Sequence, residues 1–470
     1  MKKAASGKTK AAAKSTPKSP AKSKAATPAK WTVMVYLAGD NNLDGAGVTD
    51  LMEMKSVGSN SDVNVIAQFD RAGGKGTSKR FYLRKGTTLT ADAVADLGET
   101  DTGDPAVLEG FLTWGIKTYP ADHYMAVIWN HGAGWDDSNL YAGDYFSGAT
   151  PPIVHKGVVI DAKGSVAKPA AVDKKTIRRI GRGKAPAPVP MAQARAAIHR
   201  AQRALFATSV QQMVQSRAIA FDDQAKDYLD NAELKRVLTN VKKLIKRNID
   251  IVGFDACLMS MLEVSYQIKG AAGFTVGSQE EEPNNGWSYD RLLTAMQAKP
   301  TMAPADVARS AVSTYLASYG NNDGVTFAAT DLAQTDAVRT AVNQLGLALM
   351  SALGDASAKA ALTSVRARVQ EYSSPYDDYV DLVDLCDGLG SIMGRADVTA
   401  ACTAVKAAMG KMVLATGAKG ANVARSHGSS IYFPKKQVCR LYASLDFARK
   451  SPWAAFIQAY CAGLNVRAWG

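Results

Sequence analysis

Short apolar runs bounded by turn residues alternate along this chain with longer amphipathic stretches. WTVMVYLA, DVNVIAQFD, KRFYLRK, HYMAVIWN, RAIAFDD, IDIVGFD, GFTVGS and DGVTFAAT read as strands. Several are nearly continuous in Val, Ile, Met and Leu, the pattern of strands buried on both faces in a parallel sheet. Pro105 to Thr118, Asn231 to Ile245, Leu258 to Ile268 and Pro304 to Ser318 read as helices between them. The alternation predicts an α/β fold with a mostly parallel sheet flanked by helices. After about Leu332 the pattern becomes mainly helical, through TDAVRTAVNQLGLALMSAL and DVTAACTAVKAAMGKMVLA, before SSIYFP offers a late strand.

Two of these runs end on reactive side chains. YMAVIWNHGAGW delivers His131 and Gly132, and IDIVGFDACLMS delivers Asp255 and Cys257. Sites in parallel sheets gather at the carboxyl ends of strands, so neighbouring ends could unite the two. A thiol beside an imidazole is a nucleophile with its base. Taken singly, a strand-end cysteine is more often a small buried hydrophobe. LMSMLEVSYQI follows directly and reads as a helix, which would put Cys257 at a positive dipole end that favours the thiolate.

These segments resemble the clostripain family of cysteine peptidases, in the caspase-like group. There a strand-terminal His-Gly precedes a strand ending in Ala-Cys, as His131-Gly132 and Ala256-Cys257 do here. WTVMVYLAGDNNLD, RAIAFDDQAKDYLDNAEL, EVSYQIKGAAGFTVGSQEEEPNNGWSYD, DYVDLVDL and HGSSIYFP match the family in the same order. The resemblance implies a caspase-like fold and acyl transfer by a Cys257/His131 dyad. It also implies an oxyanion hole from the backbone N–H groups of Gly132 and Cys257. It further implies a pocket for substrate Arg or Lys built on Asp255, which lies on the cysteine's side of an ideal strand. The other reading of Asp255 is a carboxylate bonded to nearby loop amides. A second family acid falls in the turn matching PNNGW, where this chain has Asn285. Glu280, Glu281 and Glu282 either compensate or form a solvated turn.

Composition adds a tail and a linker. Of the formal +13, residues 1–30 carry +9 as nine lysines with no acid, and Thr150 to Leu205 carry +10. Removing both leaves the remainder at about −6, mildly acidic. The Ala/Lys/Ser/Pro tail lacks aromatics and cannot bury enough surface to fold. It either attracts nucleic acid or another anionic surface nonspecifically, or is a solubilising tail. The segment at about 150–210 reads as an exposed linker inserted in the catalytic part. In the family resembled, cuts between the two catalytic elements mature the enzyme, and Arg178, Arg179, Arg182 and Lys184 are the candidate processing sites. A dispensable surface insertion is the other reading.

The expected organisation is a basic tail at 1–30, a catalytic domain at 31–300 and a mainly helical region with a late strand at 301–470. Five cysteines form no CxxC pair and no metal-ligand spacing with the histidines, so no metal site is expected. The loop AGDNNLD, with Asp40, Asn41, Asn42 and Asp44, either binds calcium or serves as turn and N-cap; Asp222 and Asp223 are read the same way. No cofactor other than calcium is suggested. His123, His155, His199 and His427 read as structural or surface residues. No apolar run approaches the roughly 20 residues of a membrane span. The N-terminus lacks a secretory h-region, which points to a cytoplasmic protein. The expected function is a cysteine endopeptidase acting on proteins or peptides after Arg or Lys. The alternative is a catalytically silent caspase-like scaffold tethered to nucleic acid by its tail.

Overall fold

Nine strands form one sheet: β1 (Ala29–Gly39), β2 (Val63–Arg71), β3 (Ser78–Tyr82), β4 (Ala93–Gly98), β5 (Ala121–Trp129), β6 (Ile249–Asp255), β7 (Ala272–Gly277), β8 (Val325–Asp331) and β9 (Val413–Lys419). In this computed structural model the spatial order is β9-β8-β7-β6-β5-β1-β2-β3-β4. The five central strands, β7 to β2 in that order, run parallel, and both edges are completed by antiparallel pairs. The described residues are 28–41, 43–72, 77–132, 134–135, 227–372 and 378–465, with short strand segments at 153–155, 158–160, 166–167 and 219–222. Residues 1–27 of the basic tail and the four candidate processing residues lie outside them, while the last tail residues, Ala29 and Lys30, already belong to β1.

Helices cover both faces. In the β1/β5 register Leu37 lies opposite Trp129, whereas Met34 has the other parity and so points to the other face. Helix Pro105–Thr118 packs at Gly115 on the side-chain ends of Ile66 and Met34, 2.6 and 2.9 Å from where a Cβ there would stand, while Asp50 of helix Asp44–Val57 accepts the Trp129 indole N–H. The two helices therefore lie on opposite sides of the sheet. Local chemistry starts each of the best-predicted helices: Asp104 caps the N–H of Ala106 ahead of Pro105, and Asp230 forms a capping box with Glu233. The helix Asn231–Ile245 ends at Lys246, whose φ of 58° is left-handed.

The region beyond residue 300 is rich in helices, but β8 and β9 extend the same sheet past β7. The sheet thus continues across the expected boundary near residue 300. A second, three-stranded sheet of Glu371–Tyr372, Tyr379–Asp381 and Ser430–Tyr432 is stitched to the stretch after Cys257. There Ser430 donates its N–H to Ser260 O at 3.0 Å, and the Ser260 hydroxyl donates to Gly428 O at 2.8 Å. The strand read in RAIAFDD appears as Ile219–Asp222, paired with Asp227–Leu229 outside the main sheet. Among the described residues no helix is long and apolar enough to cross a membrane.

Candidate active site

β5 and β6 are adjacent and in register, with Trp129 opposite Asp255. Continued two residues along each, this register aligns position 131 with position 257. The pairing persists past the strand ends: Asn130 donates its N–H to Asp255 O at 3.2 Å. Gly132 then lies so close to the other strand that an added Cβ would stand 2.3 Å from Cys257 O and 2.9 Å from both Cys257 N and the Ala256 Cβ. Only a glycine permits that approach. The loop beyond is pinned by Asn231, whose amide donates to Gly134 O and Trp135 O, and by Trp135 packed edge-on against Tyr432 and Tyr442. The backbones of the two strand ends singled out in the sequence thus meet at Gly132 and Cys257.

The cysteine itself is covered. Cys257 is 1% exposed, and the segment after β7 folds over it. Glu282 donates its N–H to Cys257 Sγ at 3.2 Å, and Leu258 donates its N–H to Glu280 O at 3.3 Å. Burial, with the negative charge of Glu281 and its neighbours, pushes the thiol well above its ordinary range. Burial likewise pushes the His131 imidazole down to about 4. In this state the Cys257 thiol and the His131 imidazole are both neutral. Leu258, directly after the nucleophile position, has a φ of 66°, a left-handed conformation costly for a side chain with a Cβ.

One expectation about the thiol is corrected. The helix after Cys257 spans Leu262–Ile268 rather than starting at Leu258, so its N-terminus is not at the sulfur. The intervening residues instead pair with the segments around Ser278 and Ser430: Ser260 N–H goes to Ser278 O at 2.8 Å. Tertiary hydrogen bonds there outcompete the helical ones.

Asp255 is buried, accepting the Tyr289 hydroxyl at 2.8 Å and the Trp287 N–H at 3.4 Å. Burial pushes its carboxyl up to about 6. Asn285 is exposed on the turn, beside Gly286, whose φ of 50° and closeness to the Asp255 carboxylate demand glycine. Of the three glutamates before that turn, Glu282 is buried whereas Glu280 and Glu281 are partly exposed. In the AGDNNLD loop, the Asp44 carboxylate holds Arg71 through two bonds, 2.6 and 3.0 Å. The Asn41 side chain accepts the Leu43 N–H and donates to Ala38 O. Asn42 of this loop lies outside the described residues. Among the described residues no group of three or more His, Cys, Asp or Glu is arranged to hold a metal. Asp223 and the side chain of Asp222 lie outside the description, as do those of His155 and His199.

Sequence reasoning passed over one network. His427 is 3.0 Å from Asp381, which also accepts from Tyr372 and from Gln279, while Gln279 accepts the Gly428 N–H. Gln279 lies on the segment that covers Cys257. His123, by contrast, is structural, bonded to Asp250 and packed on Trp31.

The model of the clostripain family matches residues 35–144 and 207–460. The chain belongs to the clostripain family. Clostripain of Hathewaya histolytica is 31% identical over 145 residues, which cover 24% of this chain and 28% of that protein. The chain is thus matched over little more than a quarter of this curated relative. Among solved structures, a secreted C11 cysteine protease from Bacteroides thetaiotaomicron, in complex with an irreversible peptide inhibitor, superposes with a TM-score of 0.56 at 19% identity. That match covers 90% of this chain and 99% of the other. An inactive zymogen C11 protease from Parabacteroides distasonis gives a TM-score of 0.57 at 18% identity, covering 90% and 98%. At these identities the likeness establishes the shared caspase-like fold.

Proposed function

We propose that this clostripain-family chain is a cysteine endopeptidase in which Cys257 is the nucleophile and His131 its proton carrier. The observation that supports this most is the register of β5 and β6, whose continuation past Trp129 and Asp255 aligns positions 131 and 257 at the carboxyl edge of the sheet. Cys257 Sγ passes its proton to His131 and attacks the scissile carbonyl carbon. The carbonyl oxygen, now negative, is met by the N–H groups of Gly132 and Cys257. Collapse breaks the C–N bond, the amine leaves with the proton from His131, and water hydrolyses the thioester to regenerate the thiol.

Asp255 gives the site its preference for a basic residue before the scissile bond. The covered sulfur fits a resting form, and cuts at Arg178, Arg179, Arg182 or Lys184 would mature it. The test is a thiol-reactive peptide ketone ending in arginine. Covalent labelling is expected in wild type and absent in Cys257→Ala, and wild type is expected to split into two fragments while Cys257→Ala stays whole. Fragments identical in both proteins would assign the cuts to other proteases, and labelling that survives Cys257→Ala would overturn the nucleophile.

Burial of the sulfur favours a second reading, a catalytically silent scaffold whose lysine-rich residues 1–30 hold nucleic acid. DNA retention that salt abolishes, with no labelling even after the linker is cut, would support it. A cytoplasmic location draws no support from a solved relative that is secreted.

A further inference from the structure

Asn285 leaves the turn over Asp255 without a charge, yet two more carboxylates lie buried beside that residue. Asp50 reaches in from helix Asp44–Val57 and Glu282 from the segment covering Cys257, and they are 1% and 3% exposed. Asp50 accepts the Trp129 indole N–H at 2.6 Å. Both Glu282 carboxylate oxygens are buried; among the described residues the one donor that reaches the carboxyl is the backbone N–H of Ala256, in poor hydrogen-bond geometry. The Glu282 side chain also interacts with the Asp255 carboxyl, and Asp50 is near enough for its charge to act on both. Among the described residues no lysine or arginine is paired with any of the three.

Carboxyl groups in this arrangement must share a proton or take a cation, because like charges in a dry site cannot all ionise. The surrounding walls suit a cation. Trp287, Tyr289, Tyr315 and Tyr319 are buried around the cluster, and Tyr319 donates its hydroxyl to Gly286 O at 2.7 Å. Glu280 and Glu281 are partly exposed and so are not equivalent.

We propose that Glu282 is the second anionic residue of the pocket that takes the basic side chain before the scissile bond, replacing the charge that Asn285 does not supply. The inference rests on the basic-residue reading of Asp255 given above. An entering guanidinium sets its fork between the carboxylates of Asp255 and Glu282 and releases their shared proton to solvent. The same residue keeps its backbone N–H on Cys257 Sγ, so a change confined to the Glu282 side chain leaves that contact available.

The test compares kcat/KM for matched peptides bearing arginine or its uncharged isostere citrulline, on enzyme whose active sites have been counted by titration. Wild type is expected to favour arginine strongly, and Glu282→Gln to lower the arginine-to-citrulline ratio by roughly 30-fold or more, the usual effect of removing one partner of a buried charge pair. Asn285→Asp in the Glu282→Gln background is expected to restore part of the ratio, which loss of folding alone would not allow. If Glu282→Gln fails to fold, Glu282→Asp, with its charge withdrawn by one methylene, is expected to give an intermediate loss. A wild type that prefers arginine while Glu282→Gln, or in its place Glu282→Asp, keeps the full ratio overturns the role of Glu282 alone. A wild type with no preference overturns the basic-residue reading, and the inference falls with it.

Discussion

Glu282 donates its backbone N–H to the sulfur of Cys257 at 3.2 Å, and the two residues together close the site. A sulfur held this way, buried and with a raised pKa, is a poor nucleophile at neutral pH. Iodoacetamide at pH 7.5 is therefore expected to alkylate Cys257 about tenfold or more slowly than the half-buried Cys439 in the folded protein. Mass spectrometry of a timed pulse reads both sites at once. Equal rates would mean that the cover over Cys257 is open in solution.

Gly132 touches the backbone of Cys257 where no side chain fits. Gly132→Ala must push β5 and β6 apart at their ends, displacing both the imidazole and an N–H meant for the carbonyl oxygen. A loss of about 100-fold in kcat/KM is expected, with on the order of 1–3 kcal/mol of stability. Kinetics and a melting curve on the same preparation check it. An active Gly132→Ala would remove this residue from the site.

Two buried groups at these strand ends titrate with opposite sign. His131 is pushed from 6.5 to about 4 by burial, so between those values the unfolded chain binds the proton and the native one does not. Stability there falls as pH drops. Asp255 is pushed from 3.8 to about 6 by burial, so the native state holds the extra proton and stability falls as pH rises. The windows overlap, and in wild type the two effects offset each other. On going from pH 7 to pH 4, Asp255→Asn is expected to lose stability relative to wild type and His131→Gln to gain it, each by on the order of 2 kcal/mol. Urea denaturation at both pH values measures the shifts. Shifts of one sign in both variants would contradict the burial of one of the groups.

His427 gives a weaker effect in the same direction as Asp255. Its hydrogen bond and charge contact with Asp381 raise the imidazole's pKa, so its stabilisation is full below 6.5 and fades as pH rises through the folded value. The ring is 41% exposed, and solvent screening limits the effect to roughly half a kcal/mol. His427→Ala is expected to destabilise more at pH 5.5 than at pH 9. A pH-independent difference would assign the residue to packing alone.

Much of this architecture was written in local pattern. Helices Pro105–Thr118, Asn231–Ile245 and Pro304–Ser318 match their expected bounds because caps and N1 prolines mark them in the sequence itself. β4 and β9 escaped notice because both are edge strands, partly exposed, with no apolar run to announce them. β9 also follows its helix without a breaking residue. The helix after Cys257 was read too long because its periodicity continues back to Leu258, while hydrogen bonds to Ser278 and Gly428 claim those first residues.

The order of residues by itself determined which side chains stand at the ends of β5 and β6, since an apolar run that stops at a polar residue marks a strand end without reference to anything distant. It also determined the family, through motifs that keep their order along the chain. Only the tertiary structure decided that the sulfur is covered, that Glu282 rather than Glu280 or Glu281 turns inward, and that Asp50 joins Asp255 from helix Asp44–Val57. Those facts depend on contacts between segments more than two dozen residues apart. Burial, which sets the charge of every group in the site, is a property of such contacts and of no single stretch of sequence.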